Sequence, residues 1–204
     1  MTVSVYALDD PRRDALVRQA RLHFVSEGYA GTKMEPIARE AGVSTATLYA
    51  MFDSKAALFA AVIDEASADF TKRMAGVKAC TGPPRPRLTS FLTAYAEFLS
   101  DAFVRAIFRL VMTERHRFES VATAFYEQAK QDFGAVLVAA LTEMAAKGEL
   151  KVDKASWAAS QLMGMVEHPL FFVPMVTGDQ VLPARSPASI AEDAVETFLA
   201  RYAA

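Results

Sequence analysis

The chain has 204 residues, of which 52% are hydrophobic and 23% charged, and a formal net charge of −2. That composition excludes a disordered chain and gives no global basic excess of the kind that marks strongly cationic nucleic-acid or membrane binders. A single cysteine, Cys80, excludes an internal disulfide and a cysteine-based zinc site and fits a reducing compartment.

The opening segment MTVSVYALDDPRRD lacks the apolar core of a signal peptide. No stretch approaches ~18 uncharged apolar residues. A cytoplasmic location without membrane contact is therefore expected. Asp10 followed by Pro11 predicts an N-cap and first helical position. Leu16, Val17, Ala20 and Phe24 then form one helical face until Gly28 ends it. Thr32 with Glu35 reads as a capping box, and Pro36 fits only a first turn, so a second helix begins near residue 33. The Ala41-Gly42-Val43 turn closes it. Ser44 caps a third helix to about Met51, and Ser54 caps a fourth that runs towards Gly76.

Thr81-Gly82-Pro83-Pro84-Arg85-Pro86 is the strongest break in the chain. Beyond it, Leu88, Phe91, Leu92, Tyr95 and Phe98 stand in helical register, and helices are expected at about 101–115 and 119–147, the last capped by Gly148. Another runs from Asp153 to about Met175 with a kink at Pro169, and the final one starts at Ser186-Pro187. No clean period-2 alternation appears. The fold expected is all-α with about nine helices: a three-helix head over residues 1–56 and a helical bundle over 57–204.

Within the head, two short helices flank a tight turn at Gly42, which is a helix-turn-helix. Ile37, Ala38, Val43 and Leu48 pack it. Thr45, Ala46, Thr47 and Tyr49 are then presented outwards, short or flat side chains able to approach a groove closely. Hydroxyls and unpaired helix-start N–H groups can hold phosphate without net charge. This matters because residues 1–56 hold seven Lys/Arg against seven Asp/Glu.

Gly28-Tyr29, Thr32, Ile37-Ala38, Ala41-Gly42-Val43-Ser44, Thr47-Leu48-Tyr49, Phe52, Ser54-Lys55 and Leu58 stand in one ordered pattern. It resembles the TetR/AcrR signature over residues 12–62. The chain departs from that signature at His23, Lys33, Ala46, Met51 and Ala56. The stretch FRLVMTERHRFESVATAFYEQ is similar to the AefR-like subset of these regulators. The resemblance implies double-stranded operator DNA as partner, bound through Thr32, Lys33, Ser44, Thr45, Ala46, Thr47, Tyr49 and Lys55. It also implies a homodimer, a small-molecule effector held in the bundle, repression, and effector-driven release from DNA. No cofactor is implied.

The body is rich in aromatic and methionine side chains, suited to an apolar or aromatic effector. Candidate contacts are Tyr95, Phe108, Met112, Tyr126, Phe133, Gln161, Met165, His168 and Phe172. His168 is singled out because Pro169 beside it frees a backbone carbonyl. The segment Glu114–Arg117 reads as a solvated helix end, and the helix near 101–115 as the relay to the head. Apolar stripes predict the dimer face: Ala158 and Leu162 on one helix, with Ile190, Ala194, Val195, Phe198 and Tyr202 on the last. The three histidines lack metal-ligand spacing, and neither a nucleophile elbow nor a phosphate loop occurs, so no metal and no enzyme are expected. The rival is a helical binding or scaffold protein whose helix-turn-helix has lost its DNA.

Overall fold

The computed structural model describes residues 10–78 and 81–204, so Cys80 lies outside the described residues. The described chain is all-α. The helices are α1 (Pro11–Gly31), α2 (Met34–Glu40), α3 (Thr45–Met51), α4 (Lys55–Lys78), α5 (Pro84–Ser100), α6 (Ala102–Glu114), α7 (Glu119–Ala129), α8 (Ala135–Ala146), α9 (Ala155–Glu167), α10 (Val173–Thr177) and α11 (Pro187–Tyr202). Wider π turns, Lys130–Gly134 and His168–Phe172, join α7 to α8 and α9 to α10. Counted as continuous rods, the described residues therefore hold the expected nine helices. The one β-type pairing among them is an isolated bridge between Leu150 and Ala203.

Local chemistry sets most of the ends. Asp10 accepts from the Arg12 N–H, Ser44 from Thr47, Ser54 from Ala57 and Ser186 from Ser189. Each satisfies an orphan donor of a first turn. At the end of α2, Gly42 takes φ 72°, the Val43 N–H reaches the Ala38 carbonyl at 3.0 Å, and Gly42 N–H reaches Arg39 at 3.1 Å. That left-handed cap turns the chain sharply from α2 into α3.

Some expectations about helix ends need correction. Thr32 forms no capping box: Lys33 is the N-cap of α2, without a side-chain bond. The Thr32 hydroxyl instead donates back to the Gly28 carbonyl at 2.7 Å. Gly28, at φ 69° and ψ 172°, is non-helical and breaks α1 where expected, with a further helical stretch running on to Gly31. Pro169 sits in the first positions of a π turn, where a widened ring accommodates its missing N–H. The proline-rich break is also shorter than it reads, since α5 starts at Pro84.

Two compact units result, one of residues up to Ala68 with Ile107–Phe125, the other of Asp69–Ala106 with Tyr126–Ala204. The first buries Leu16, Val17, Phe24, Ile37, Leu48, Leu58 and Phe59. In the second, the most extensive helix pairing is α11 against α5, and α11 also packs on α9.

That pairing overturns part of the expected dimer face. Ala158, Leu162, Ala194, Val195 and Phe198 are all buried within the single chain. Their stripes serve the subunit's own core; Ile190 and Tyr202 are half-buried. Phe198→Ala is accordingly expected to cost ~3–5 kcal/mol in urea unfolding, the usual penalty for emptying a buried aromatic site; a change below ~1 kcal/mol would contradict this packing.

Candidate functional site

The outer face of the helix-turn-helix is built by what its inner face hides. Ile37, Ala38 and Leu48 are fully buried. Leu48 anchors α3, which leaves Ser44, Ala46, Tyr49 and Ala50 exposed and Thr45 and Thr47 half-buried. Tyr49 keeps 45% of its surface open. A large aromatic left uncovered on so short a helix is available to a partner. Lys33 is exposed at the start of α2. Ser44 and Thr47 hydroxyls lie 2.8 Å apart, with the Thr47 N–H 3.0 Å from Ser44 Oγ. The first turn of α3 thus places hydroxyls and N–H groups together, a surface suited to phosphate oxygens.

Two predicted contacts turn inward. Thr32 is buried and spends its hydroxyl on Gly28. Lys55 Nζ donates to the carbonyls of Tyr29 at 2.8 Å and Thr32 at 2.9 Å, with Ala30 at 3.4 Å. It also lies 4.6 Å from the centroid of the Tyr29 ring. The ammonium has three protons, and carbonyls left loose by the Gly28 kink take them. Lys55 is a clip inside the head, not a phosphate contact.

Around Tyr29 lies a cluster that sequence reading missed. Tyr29 stacks with Phe24 and meets Phe59 edge-on, with centroids 5.9 and 5.4 Å away. Phe118 closes on both, 4.8 Å from Tyr29 and 4.5 Å from Phe59. Arg117 sits over the Tyr29 ring at 4.9 Å. Arg115, His116 and Arg117 stay exposed, as expected of a solvated helix end, while Phe118 just beyond them is packed. The signal was an aromatic directly before α7, where a polar cap is usual; packing, not capping, holds that position.

His23, a departure from the family pattern, ties α1 to α2. Its Nδ1 lies 2.7 Å from Glu27 and its Nε2 3.0 Å from Glu40. Burial works against the charged ring, but the bonds to the two carboxylates outweigh it and raise the pKa above the ordinary histidine value.

The predicted effector contacts do not converge. Tyr95 and Phe133 are buried together, with rings 5.1 Å apart, and Tyr95 donates to Glu167 at 2.6 Å. Burial first, and then Glu167, hold that phenol well above its usual range. Phe108 packs edge-on to Phe125 in the first unit. Met112, Tyr126, Gln161, His168 and Phe172 are exposed, so none of them points into a bundle core. Gln161 accepts from the Tyr202 hydroxyl at 2.5 Å, and His168 stacks on Phe172. Met165 borders a surface cavity of about 410 Å³ beside Pro169, Ile190 and Asp193. No group of three or more histidine, cysteine or acidic side chains among the described residues could hold a metal. No single described helix is long and apolar enough to cross a membrane.

The family model for bacterial regulatory proteins of the tetR family matches residues 16–62, and that for the AefR-like transcriptional repressor C-terminal domain matches 86–204. A TetR-family regulator of Mesorhizobium loti is similar in structure, with 25% identity, a TM-score of 0.76, and 95% of this chain and 97% of that chain covered. The flavonoid-responsive regulator FrrA shows 28% identity and a TM-score of 0.66 over 94% of this chain and 97% of its own. The regulator FadR of Bacillus subtilis, solved with stearoyl-CoA, shares the fold at 16% identity and a TM-score of 0.67, over 91% and 96% of the two chains. No curated protein matches the chain.

Lys55→Ala is expected to lower stability in urea by ~1–3 kcal/mol, since buried carbonyls lose their donor, while the dependence of DNA affinity on salt keeps its slope. A slope smaller by about 1 would return Lys55 to the phosphates. For His23, a raised folded-state pKa means that its contribution is complete below ~6.5 and is lost as pH rises through the folded value. Stability followed from pH ~6 to ~8 should therefore fall more in the wild type than in His23→Leu; parallel profiles would contradict the clamp.

Proposed function

Because the chain belongs to the TetR family of bacterial regulatory proteins, we propose that it is an effector-released repressor, a cytoplasmic homodimer that reads a roughly palindromic double-stranded operator. Residues 1–56 form the reading head, and 57–204 bind the effector and the second copy. Uncovered Tyr49 on α3, with Leu48 locked beneath it, is the observation that carries this reading. Placed in the major groove, α3 offers Thr45 and Ala46 to base edges, with Ser44, Thr47, Tyr49 and Lys33 near phosphates.

The likeness to a flavonoid-responsive regulator supports an aromatic or apolar effector. Tyr95 and Phe133 remain candidates for its walls. The effector acts by binding more tightly to the conformer whose two heads are wrongly spaced for DNA, and its differential affinity sets the limit of release. Helix α6 and the turn after it are the natural relay, since Phe118 and Arg117 hold the Tyr29 cluster.

The second copy is assigned to the outer ridge of α9 and α10. Trp157, Phe172 and Val176 expose 61, 56 and 70% of their surfaces there. They follow a spacing of three and four residues through Gln161, Gly164 and His168, beside Tyr202. An uncovered apolar ridge of this kind suits an isologous two-fold contact.

Capture of genomic fragments by the purified protein tests the regulator directly. Tyr49→Ala should weaken binding to every captured fragment, and Thr45 or Ala46 variants should shift which fragments are kept. Unchanged affinity of Tyr49→Ala at ~100 mM salt would overturn the docking. Trp157→Asp and Phe172→Asp should give folded monomers that no longer hold palindromic fragments. A wild-type monomer in light scattering at micromolar concentration would overturn the dimer.

A further inference from the structure

A cavity of about 150 Å³ lies where α5 meets α6, with Arg105 and Arg185 at its sides and Leu170, Leu182, Pro183 and Pro187 around it. Arg105 is 3% exposed. Its Nε donates to Asp179 at 2.6 Å and its Nη1 to the Leu99 carbonyl at 3.0 Å. Those bonds use two of five N–H donors on a side chain that cannot lose its charge. No Arg105 nitrogen is both buried and unpartnered, so its remaining N–H donors are reachable from outside, and an acceptor that enters the cavity can meet them.

The lining contains two arginines and no acidic side chain. Arg185 is tethered to Asp193 and to Ser189, which fixes its head near the rim. The loop carrying Asp179 is held in an uncommon conformation: Gly178 and Asp179 take φ 61° and 63° in succession. The Arg105 bond thus clasps a constrained loop, while Arg105 itself lines the cavity.

We infer that this cavity binds a small monocarboxylate, its carboxylate on the Arg105 fork and its hydrocarbon part against Leu170, Leu182, Pro183 and Pro187. The volume sets the size, because an apolar cavity of roughly 150 Å³ accepts a ring the size of benzene. Planar bidentate pairing sets the charge, since a guanidinium matches a carboxylate far better than it matches a neutral amide. The assignment rests on the effector-responsive reading above and narrows its effector to an acid. Arg105 stands in the first turn of α6, the helix whose far end leads into Phe118.

Calorimetric titration of the full chain with benzoate and with benzamide tests the assignment. Benzoate should bind about tenfold or more tightly than its neutral isostere. Arg105→Lys, which keeps the charge but loses the fork, should weaken benzoate by about tenfold and leave benzamide unchanged. Leu182→Trp, which fills the cavity from its exposed rim without touching the Arg105–Asp179 pair, should abolish binding while thermal melting still shows a cooperative fold. Equal binding of the two compounds, no benzoate binding at about 10 mM, or full binding by Leu182→Trp would each overturn it and make Arg105 a loop clasp alone. The titration needs no DNA. A protein that captures genomic DNA but ignores benzoate defeats this assignment alone; one that takes benzoate but captures no DNA defeats the regulator.

Discussion

The head depends on how the chain resolves the break at Gly28. A residue at φ 69° inside α1 releases carbonyls that a straight helix would have bonded, and they lie too close to the aromatic core to be left to water. The Lys55 ammonium gathers those of Tyr29 and Thr32, and the Thr32 hydroxyl returns to that of Gly28. Once these are satisfied, Tyr29 is fixed, and Phe24, Phe59 and Phe118 pack around it. The start of α2 and the N-terminus of α4 are then held together. α3 takes its attitude from α2 through the Gly42 turn. A lysine that reads as a surface charge is in this way the centre on which the reading helix is placed.

The same economy explains why the head needs no net positive charge. Three of its cations are spent internally: Lys55 on carbonyls, Arg21 on Glu65, Arg12 on Asp10. What remains outward on α3 is hydroxyl, methyl and phenol. Contacts of that kind favour close fit over long-range attraction, and they place discrimination in the geometry of approach.

Local signals carried most of the fold. Asp10, Ser44, Ser54 and Ser186 cap helices through bonds to residues two or three positions away, and Gly42 and Gly148 end them through their own backbone; such interactions are complete within a short stretch of sequence. Thr32 misled because its hydroxyl donates back to the Gly28 carbonyl and accepts no N–H from the first turn of α2. Long-range choices were less legible. A stripe such as Ala194, Val195 and Phe198 announces that it is covered, but periodicity is blind to whether α5 of the same chain or a second copy covers it. The expected effector residues scatter for a related reason. Tyr126, His168 and Phe172 lie on apolar helices, yet the π turns rotate which positions face inward, and no simple helical spacing anticipates them. Arg105 escaped notice because a lone arginine in a helix reads as solvated until its partner on a distant loop is known.

The π turn at His168–Phe172 makes the outer ridge tolerant of a change in length. One extra residue is taken up there without breaking the rod, and Pro169 finds its place in the widened ring. A residue removed from an ordinary helix turns everything beyond it by about 100°. Removed from this turn, it is offset by the return to ordinary winding, so Phe172 and Val176 keep their line with Trp157, and the loop bearing Asp179 still starts from the same side of the helix. In a lineage of such proteins, this turn is a place where a residue is gained or lost while the association surface and the rim of the Arg105 cavity are both preserved.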